Sequence, residues 1–202
     1  MFALGSGFQA AAATRRKWYL RGPARRLSSR PAVVRYNLAM NTSPTPESRL
    51  AALGLDLPRL FPPAGTYVNA VRSGSLVFLA GHIPYHPDGS VAFGKLGVDV
   101  DVETGYVAAR GAALAMLVTI REALGTLDRV RRIVRVSGLV NAAPDFTQHT
   151  RVIDGASDLL VEVFGEAGRH ARLAVGVSSL PANICLEVDA IVETDEGRSG
   201  PG

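Results

Sequence analysis

The sequence contains very little cysteine, few aromatic residues and no long hydrophobic run. Of its 202 residues, one is cysteine, Cys185, and 6% are aromatic. A single cysteine excludes an intramolecular disulfide and a cysteine-based metal cluster within one chain, which favours a reducing compartment such as the cytoplasm. A membrane helix needs roughly 18 to 20 uncharged apolar residues, and no stretch approaches that length. The sequence therefore predicts a globular protein without membrane contact, located by default in the cytoplasm.

Acidic residues are absent before Glu47, so the charge of the chain is unevenly distributed. Residues 1–39 carry eight basic residues, whereas residues 40–202 carry 14 basic and 18 acidic ones, a net charge of −4. A domain with this charge repels a phosphate backbone, although the whole chain has a formal charge of +4. Nucleic acid is therefore not an expected partner of the domain.

The basic leader, residues 1–39, has three possible interpretations. It is rich in Arg and Ser and free of acids, which is typical of an organelle transit peptide. It is also compatible with a solvated basic arm that contacts RNA or anionic lipid. In the third interpretation, Met40 is the true start and the preceding sequence is extra. We expect a linker and short helix over residues 40–59, one domain over 60–195 and a disordered tail over 196–202.

Apolar periodicity and turn residues predict an α+β domain. The expected order is two strands, a helix, a strand, a second helix and two further strands. The predicted elements are a short helix capped by Ser48 and ended by Gly54, strands at Tyr67–Val71 and Leu76–Ile83, a helix at Tyr106–Leu124, a strand at Val130–Val140, a helix at Asp154–Phe164, and strands at 171–177 and 184–192. This order fits a mixed sheet with two long helices on one face.

The common catalytic and metal-binding signatures are absent from the sequence. There is no P-loop, no Gly-x-Gly-x-x-Gly after a strand, no His-Glu-x-x-His and no Gly-x-Ser-x-Gly. Of the four histidines, only His82 and His86 are close in sequence, and we predict no metal site. Cys185 lies in a strand pattern among apolar residues, which is typical of a buried, inert thiol.

Polar and apolar residues alternate along the last two predicted strands. The alternation places Arg172 on the polar face of one strand, and Glu187 and Asp189 on the polar face of the next. If these strands are neighbours, Arg172 and Glu187 share a cleft. A guanidinium there can bind a substrate carboxylate through two parallel hydrogen bonds, and Glu187 can deprotonate a water. A cross-strand salt bridge on a solvated face fits the same pattern.

The segment from His170 to Val192 resembles the C-terminal signature of the RidA/YjgF family. That signature is Ala-Arg, an apolar alternation, Leu-Pro and an alternating strand that contains Glu. Gly65-Thr-Tyr-Val and Leu79-Ala-Gly-His-Ile-Pro are similar to the family's N-terminal motifs. Gly155-Ala-Ser-Asp-Leu and Phe164-Gly-Glu resemble the divergent branch labelled endoribonuclease L-PSP/chorismate mutase-like. The resemblance covers roughly residues 60 to 194.

The resemblance implies a chorismate-mutase-like fold, a homotrimer and sites in the clefts between subunits. Its well-understood members hydrolyse reactive imines and enamines to 2-keto acids and ammonia without a cofactor. Carried over, Arg172 binds the carboxylate of a small metabolite and Glu187 activates the water. The implied substrate-binding residues are Tyr67, Gly81, His82 and Ala174. The backbone N–H of Gly81 is the expected donor, and Tyr67 lines the pocket.

The sequence departs from the family's pattern at several pocket positions. Ala80 replaces a small polar residue, and His82 replaces a glutamine and adds a titratable ring near the pocket. The family's pocket asparagine has no clear counterpart, and Asp154 and Ser157 are the candidates. The open functions are an imine or enamine deaminase, a regulatory trimer that binds a carboxylate without turnover, and a ribonuclease.

Overall fold

The computed structural model describes residues 43–60, 62–86 and 88–195. Its main elements are α1 (Pro46–Ala52), β1 (Ala70–Ser73), β2 (Leu76–Leu79), α2 (Val102–Leu124), β3 (Val130–Asn141), α3 (His149–Phe164), β4 (Ala171–Val177) and β5 (Leu186–Thr194). The predicted α+β class and order of elements are confirmed. The predictions for residues 1–39 and 196–202 concern segments outside the described residues. Within the described residues, no helix combines the length and apolar character needed to cross a bilayer.

Three helix starts differ from the predicted ones, and in α1 and α2 the reason is a capping residue that lies earlier in the chain. Thr45, rather than Ser48, caps α1, and its hydroxyl accepts a hydrogen bond from the Ser48 N–H at 3.3 Å. Asp101 caps α2 by accepting from the Thr104 N–H at 2.7 Å, so the helix begins before Tyr106. Helix α3 begins at His149, five residues before the predicted start. The predicted end of α2 is confirmed, since Gly125 adopts the left-handed conformation there.

The strand order in the sheet is β1-β2-β5-β3-β4. Strands β3 and β4 are parallel, and the other neighbouring pairs are antiparallel. The condition for a cleft shared by Arg172 and Glu187, that β4 and β5 are neighbours, is not met, because β3 separates them. The crossover through α3 places β4 on one side of β3. The turn at Pro181–Asn183 then returns the chain to the other side of β3.

Helices α2 and α3 pack on one face of this sheet and form the core with it. From the sheet, Ile133, Val136 and Val188 are fully buried. The helices approach each other closely at Gly155 of α3, where an added Cβ would overlap the backbone carbonyl of Tyr106 in α2. A larger side chain at position 155 would therefore separate the two helices.

No helix formed by residues 43–195 as described covers the other face of the sheet, which displays several apolar side chains. Val71, Phe78 and Leu173 are 54%, 42% and 41% exposed, respectively. Leu173 lies on this face because it is opposite Ser137, whereas its neighbour Arg172 is opposite the buried Val136. The alternation along β4 is therefore as predicted, but its arginine faces the helices and its leucine faces outward.

Candidate functional site

Three predicted binding residues, Tyr67, Gly81 and His82, line one cavity of about 160 Å³. The chain leading into β1 supplies Tyr67, and the residues just after β2 supply Gly81 and His82. The Tyr67 hydroxyl accepts a hydrogen bond from the Ala64 N–H at 3.3 Å, which holds the ring across the segment that precedes it. The structure thus brings together residues that the sequence separates by about fifteen positions.

Glu187 of β5 lies directly against Gly81. A Cβ added at Gly81 would overlap the Glu187 carboxyl group, so the close approach requires glycine at this position. The backbones beside them are paired, because the His82 N–H donates to the Val188 carbonyl at 2.8 Å. Partial burial, and to a smaller extent the negative charge of Asp189, raises the pKa of Glu187. A carboxylate with a raised pKa is a better proton acceptor.

The imidazole of His82 is bonded to protein groups on both of its nitrogens. Nδ1 lies 2.8 Å from the carbonyl oxygen of Ala80, and Nε2 lies 2.7 Å from the hydroxyl of Thr119 in α2. A carbonyl can only accept, so Nδ1 carries the proton and Nε2 accepts from Thr119. Burial lowers the pKa of His82, which keeps the ring neutral. Its side chain therefore ties residues 80–82 to the core helix.

Arg172 of β4 is held by a hydrogen-bonded network on α3. Its Nη1 donates to Asp154 Oδ1 at 2.7 Å and to Ser157 Oγ at 3.0 Å. Ser157 Oγ lies 3.0 Å from His170 Nε2, and His170 Nδ1 donates to the Gly168 carbonyl at 2.6 Å. Because Nδ1 holds the ring proton, Ser157 donates to Nε2 and keeps a lone pair for Arg172. Burial, and to a smaller extent Arg172, lowers the pKa of His170.

This network uses only one of the guanidinium nitrogens. Within the described residues, Nε and Nη2 of Arg172 make no hydrogen bond. Those two nitrogens form the planar edge that matches both oxygens of a carboxylate. The side chain of Arg172 retains 23% of its exposure. The arrangement is therefore a fixed arginine with an unused two-pronged donor edge.

Asp154 and Ser157, the two candidates for the missing asparagine, both contact Arg172. The sequence alone led us to assign no role to His170, although its spacing from Arg172 indicates that the two side chains can share a partner. His170 and Arg172 are two residues apart and so lie on the same side of an extended chain, where one helix hydroxyl can reach both. Ala174 lies on that same side, opposite Gly138, and packs against the core without offering a polar group.

The predicted site residues form two groups rather than one cleft. Tyr67, Gly81, His82 and Glu187 lie together, and Glu187 is opposite Leu139 on the uncovered face of the sheet. Arg172 and Ala174 lie on β4, on the helix-covered face, with β3 in between. Arg172 and Glu187 therefore do not share a cleft within the described part of a single chain. The roles assigned to these residues remain predictions.

Metal-binding and thiol chemistry receive little support from the side chains. Among the described residues, no three His, Cys, Asp or Glu side chains converge as metal ligands. Cys185 is buried, and burial raises the pKa of its thiol to about 11. A thiol with that pKa is protonated at neutral pH and is a poor nucleophile.

Comparison with known proteins identifies the family of the chain. The model of a family described as "YjgF/chorismate_mutase-like, putative endoribonuclease" matches residues 47–193. The chain belongs to this family. The resemblance found in the sequence motifs is thereby confirmed, and it extends over nearly all of the described residues.

Relatives of known sequence or structure agree with this assignment. Protein TCP17 of Trypanosoma cruzi is 45% identical over 147 residues, which cover 72% of this chain and 92% of TCP17. The Agrobacterium tumefaciens protein Atu1372 is 42% identical and superposes with a TM-score of 0.68, covering 75% of this chain and 92% of Atu1372. A Shewanella oneidensis protein with the "putative endoribonuclease" description is 39% identical with a TM-score of 0.71, covering 74% and 99% of the two chains.

Proposed function

We propose that the protein is a cofactor-free hydrolase that deaminates reactive 2-imino and enamine acids to 2-keto acids and ammonia. The observation that carries this proposal is the geometry of Arg172. Its guanidinium is fixed through Nη1, and its two-pronged edge is left for a carboxylate. Every 2-imino acid has a carboxylate next to the reacting carbon, so binding at Arg172 positions the imine carbon a short distance away.

Glu187 is the proposed general base. It accepts a proton from water as the water oxygen bonds to the imine carbon, and the nitrogen gains a proton to form a carbinolamine. Loss of ammonia then gives the keto acid, so that one imino acid and one water yield one keto acid and one ammonia. The raised pKa of Glu187 makes its carboxylate a stronger base, and the adjacent Gly81 N–H is the proposed donor to the substrate.

A homotrimer with sites between subunits is part of this proposal. Arg172 and Glu187 are separated by β3 and lie on opposite faces of the sheet, so one chain alone cannot place them side by side. A second copy docked on the uncovered face would bring the Arg172 group of one chain close to the Glu187 group of the other. The exposed Val71, Phe78 and Leu173 supply apolar surface for such contact. Light scattering on the full chain should give the mass of a trimer, and a monomer would exclude shared sites.

Carboxylate binding without turnover is the second candidate, because the same arginine geometry serves both functions.

Ribonuclease activity, suggested by the description of the relatives, is less well supported by the distribution of basic residues. Of three closely spaced arginines near the start of β3, Arg129 is paired with Asp195 at 3.0 Å. The other two, Arg131 and Arg135, lie on either side of an irregularity in β3 that breaks the alternation between them. A cytoplasmic location remains a prediction.

Ammonia and keto-acid release from enzymatically generated 2-iminopropanoate and 2-iminobutanoate tests the proposal. The full chain should accelerate release over buffer, and Arg172→Ala and Glu187→Gln should each abolish most of that acceleration. Arg169→Ala and Glu193→Gln are matched controls. Arg169 is an exposed arginine paired with Glu166, and Glu193 lies on the same strand as Glu187. Wild-type protein that binds these acids without acceleration would support the regulatory candidate instead.

A further inference from the structure

A second and larger cavity opens where the parallel strands β3 and β4 end. It measures about 520 Å³, a size typical of small-molecule sites. The residues after β3, the end of β4 and the first residue of α3 form its walls. In sheets with parallel strands, the crevice beyond the carboxyl ends is a frequent ligand site. None of the predicted site residues lines this cavity.

Lys95 is the residue with a permanent positive charge that lines this second cavity. Its Nζ donates one hydrogen bond to the Ser178 carbonyl at 2.7 Å, which fixes the ammonium at the end of β4. An ammonium has three donors, so two remain. Lys95 takes part in none of the ion pairs formed within residues 43–195, so its charge is not neutralised by an acidic partner there.

His149 and Phe146 also line the cavity. The His149 ring lies over Gly176, where an added Cβ would overlap Nε2, and this glycine therefore makes room for the imidazole. The Phe146 ring meets the His149 ring edge-on, with centroids 5.2 Å apart. Neither ring nitrogen of His149 hydrogen-bonds to a described residue. The imidazole is thus held in place by packing against Gly176 and Phe146.

The remaining lining is apolar and includes Ala142, Ala143 and Val177. One ammonium and one imidazole in the same cavity suit a single negative charge, whereas a dianionic phosphate would leave one charge without a partner. The apolar wall suits a hydrocarbon or aromatic body attached to that charge. We propose that this cavity binds a monocarboxylate with an apolar body, with the carboxylate at Lys95 and His149 and the body against Phe146.

Titration of the full chain with benzoate, followed by amide NMR chemical shifts, tests this site. Shifts should concentrate at residues 142–149 and 176–178, and the neutral analogue benzamide should bind at least about tenfold more weakly. Lys95→Met should weaken benzoate binding by about tenfold or more, since a charge-assisted hydrogen bond is lost. Lys95→Arg should retain most of the affinity. His149→Phe removes the two ring nitrogens but keeps an aromatic ring in the wall of the cavity.

Other variants separate this site from the proposed one at Arg172. Arg172→Ala should leave the benzoate shifts around Lys95 unchanged, and an unaltered amide spectrum in Lys95→Met would confirm that the variant folds. The proposal is overturned if benzoate causes no shifts near the cavity, or if Lys95→Met binds as tightly as wild type. Inorganic phosphate that binds more tightly than benzoate would overturn the choice of a monocarboxylate.

Discussion

Two hydrogen-bonded networks, each centred on a histidine and each packed against one long helix, have the same local geometry but different roles. In both, Nδ1 donates to the carbonyl of the residue two positions earlier, at 2.8 Å for His82 and 2.6 Å for His170. In both, Nε2 accepts from a helix hydroxyl, Thr119 of α2 or Ser157 of α3. The first network stops in the core. The second continues to Arg172, because Ser157 also accepts from its Nη1.

Burial separates the two networks. His82 is 6% exposed and Thr119 is 2% exposed, whereas His170 and Ser157 are only partly buried. A buried network contributes mainly to stability, since each polar atom left without a partner in the core is costly. A partly buried network that ends on a charged side chain contributes mainly to the orientation of that charge. Removing each network in turn should therefore affect different measurements.

The largest expected effect is the loss of stability in His82→Ala. The substitution empties a core position and leaves the Thr119 hydroxyl without its partner, at a cost of roughly 3 kcal/mol. His170→Ala should cost only about 1 kcal/mol, because solvent can replace the lost hydrogen bonds. Urea unfolding of the full-length variants measures both. Equal costs would show that the two networks do not divide stability and orientation between them.

The pH dependence of stability should also be set mainly by His82. Burial lowers its pKa in the folded state, so the unfolded chain binds more protons once the pH falls below about 6.5. Stability is therefore fully present above that pH and declines below it, by at most about 1.4 kcal/mol per pH unit for one histidine. His170 acts in the same direction, and Glu187, with its raised pKa, acts in the opposite one. Unfolding free energies at pH 7.5 and 5.5 should differ less in His82→Gln than in wild type.

The sequence predicted the fold better than the site for identifiable physical reasons. The spacing of apolar residues along a helix or strand reflects which side chains are buried, and this spacing predicted α2 and β5 correctly. Strand order depends on a crossover that periodicity does not reveal, so the insertion of β3 between β4 and β5 was missed. Alternation placed Arg172 on the polar face of its strand, but it does not reveal that this face packs against α3. Its burial against α3 requires Asp154 and Ser157, which lie fifteen or more residues away in the chain.

A smaller effect is expected on proposed activity in Ser157→Ala. The change removes one of two hydrogen bonds that hold Nη1 and leaves His170 without its donor, so Arg172 should point less consistently at a carboxylate. We expect kcat/KM for 2-iminopropanoate to fall about tenfold, mostly through KM, with little change in stability. Ser157→Thr keeps the hydroxyl and should restore most of the activity. An unchanged KM in Ser157→Ala would show that Asp154 alone positions the arginine.

The smallest expected effect, and the one that best distinguishes orientation from charge, belongs to Asp154. Its carboxylate lies 2.7 Å from Nη1, so it holds Arg172 but also repels the carboxylate that the arginine is proposed to bind. Asp154→Asn keeps an acceptor oxygen and removes the negative charge. Because the Asp154 side chain is 46% exposed, screening limits the gain, and we expect KM to fall about threefold with kcat unchanged. Asp154→Ala, which removes the acceptor as well, should raise KM instead. If both variants raise KM, the charge of Asp154 is needed to orient Arg172, and its repulsion of the substrate is the weaker effect.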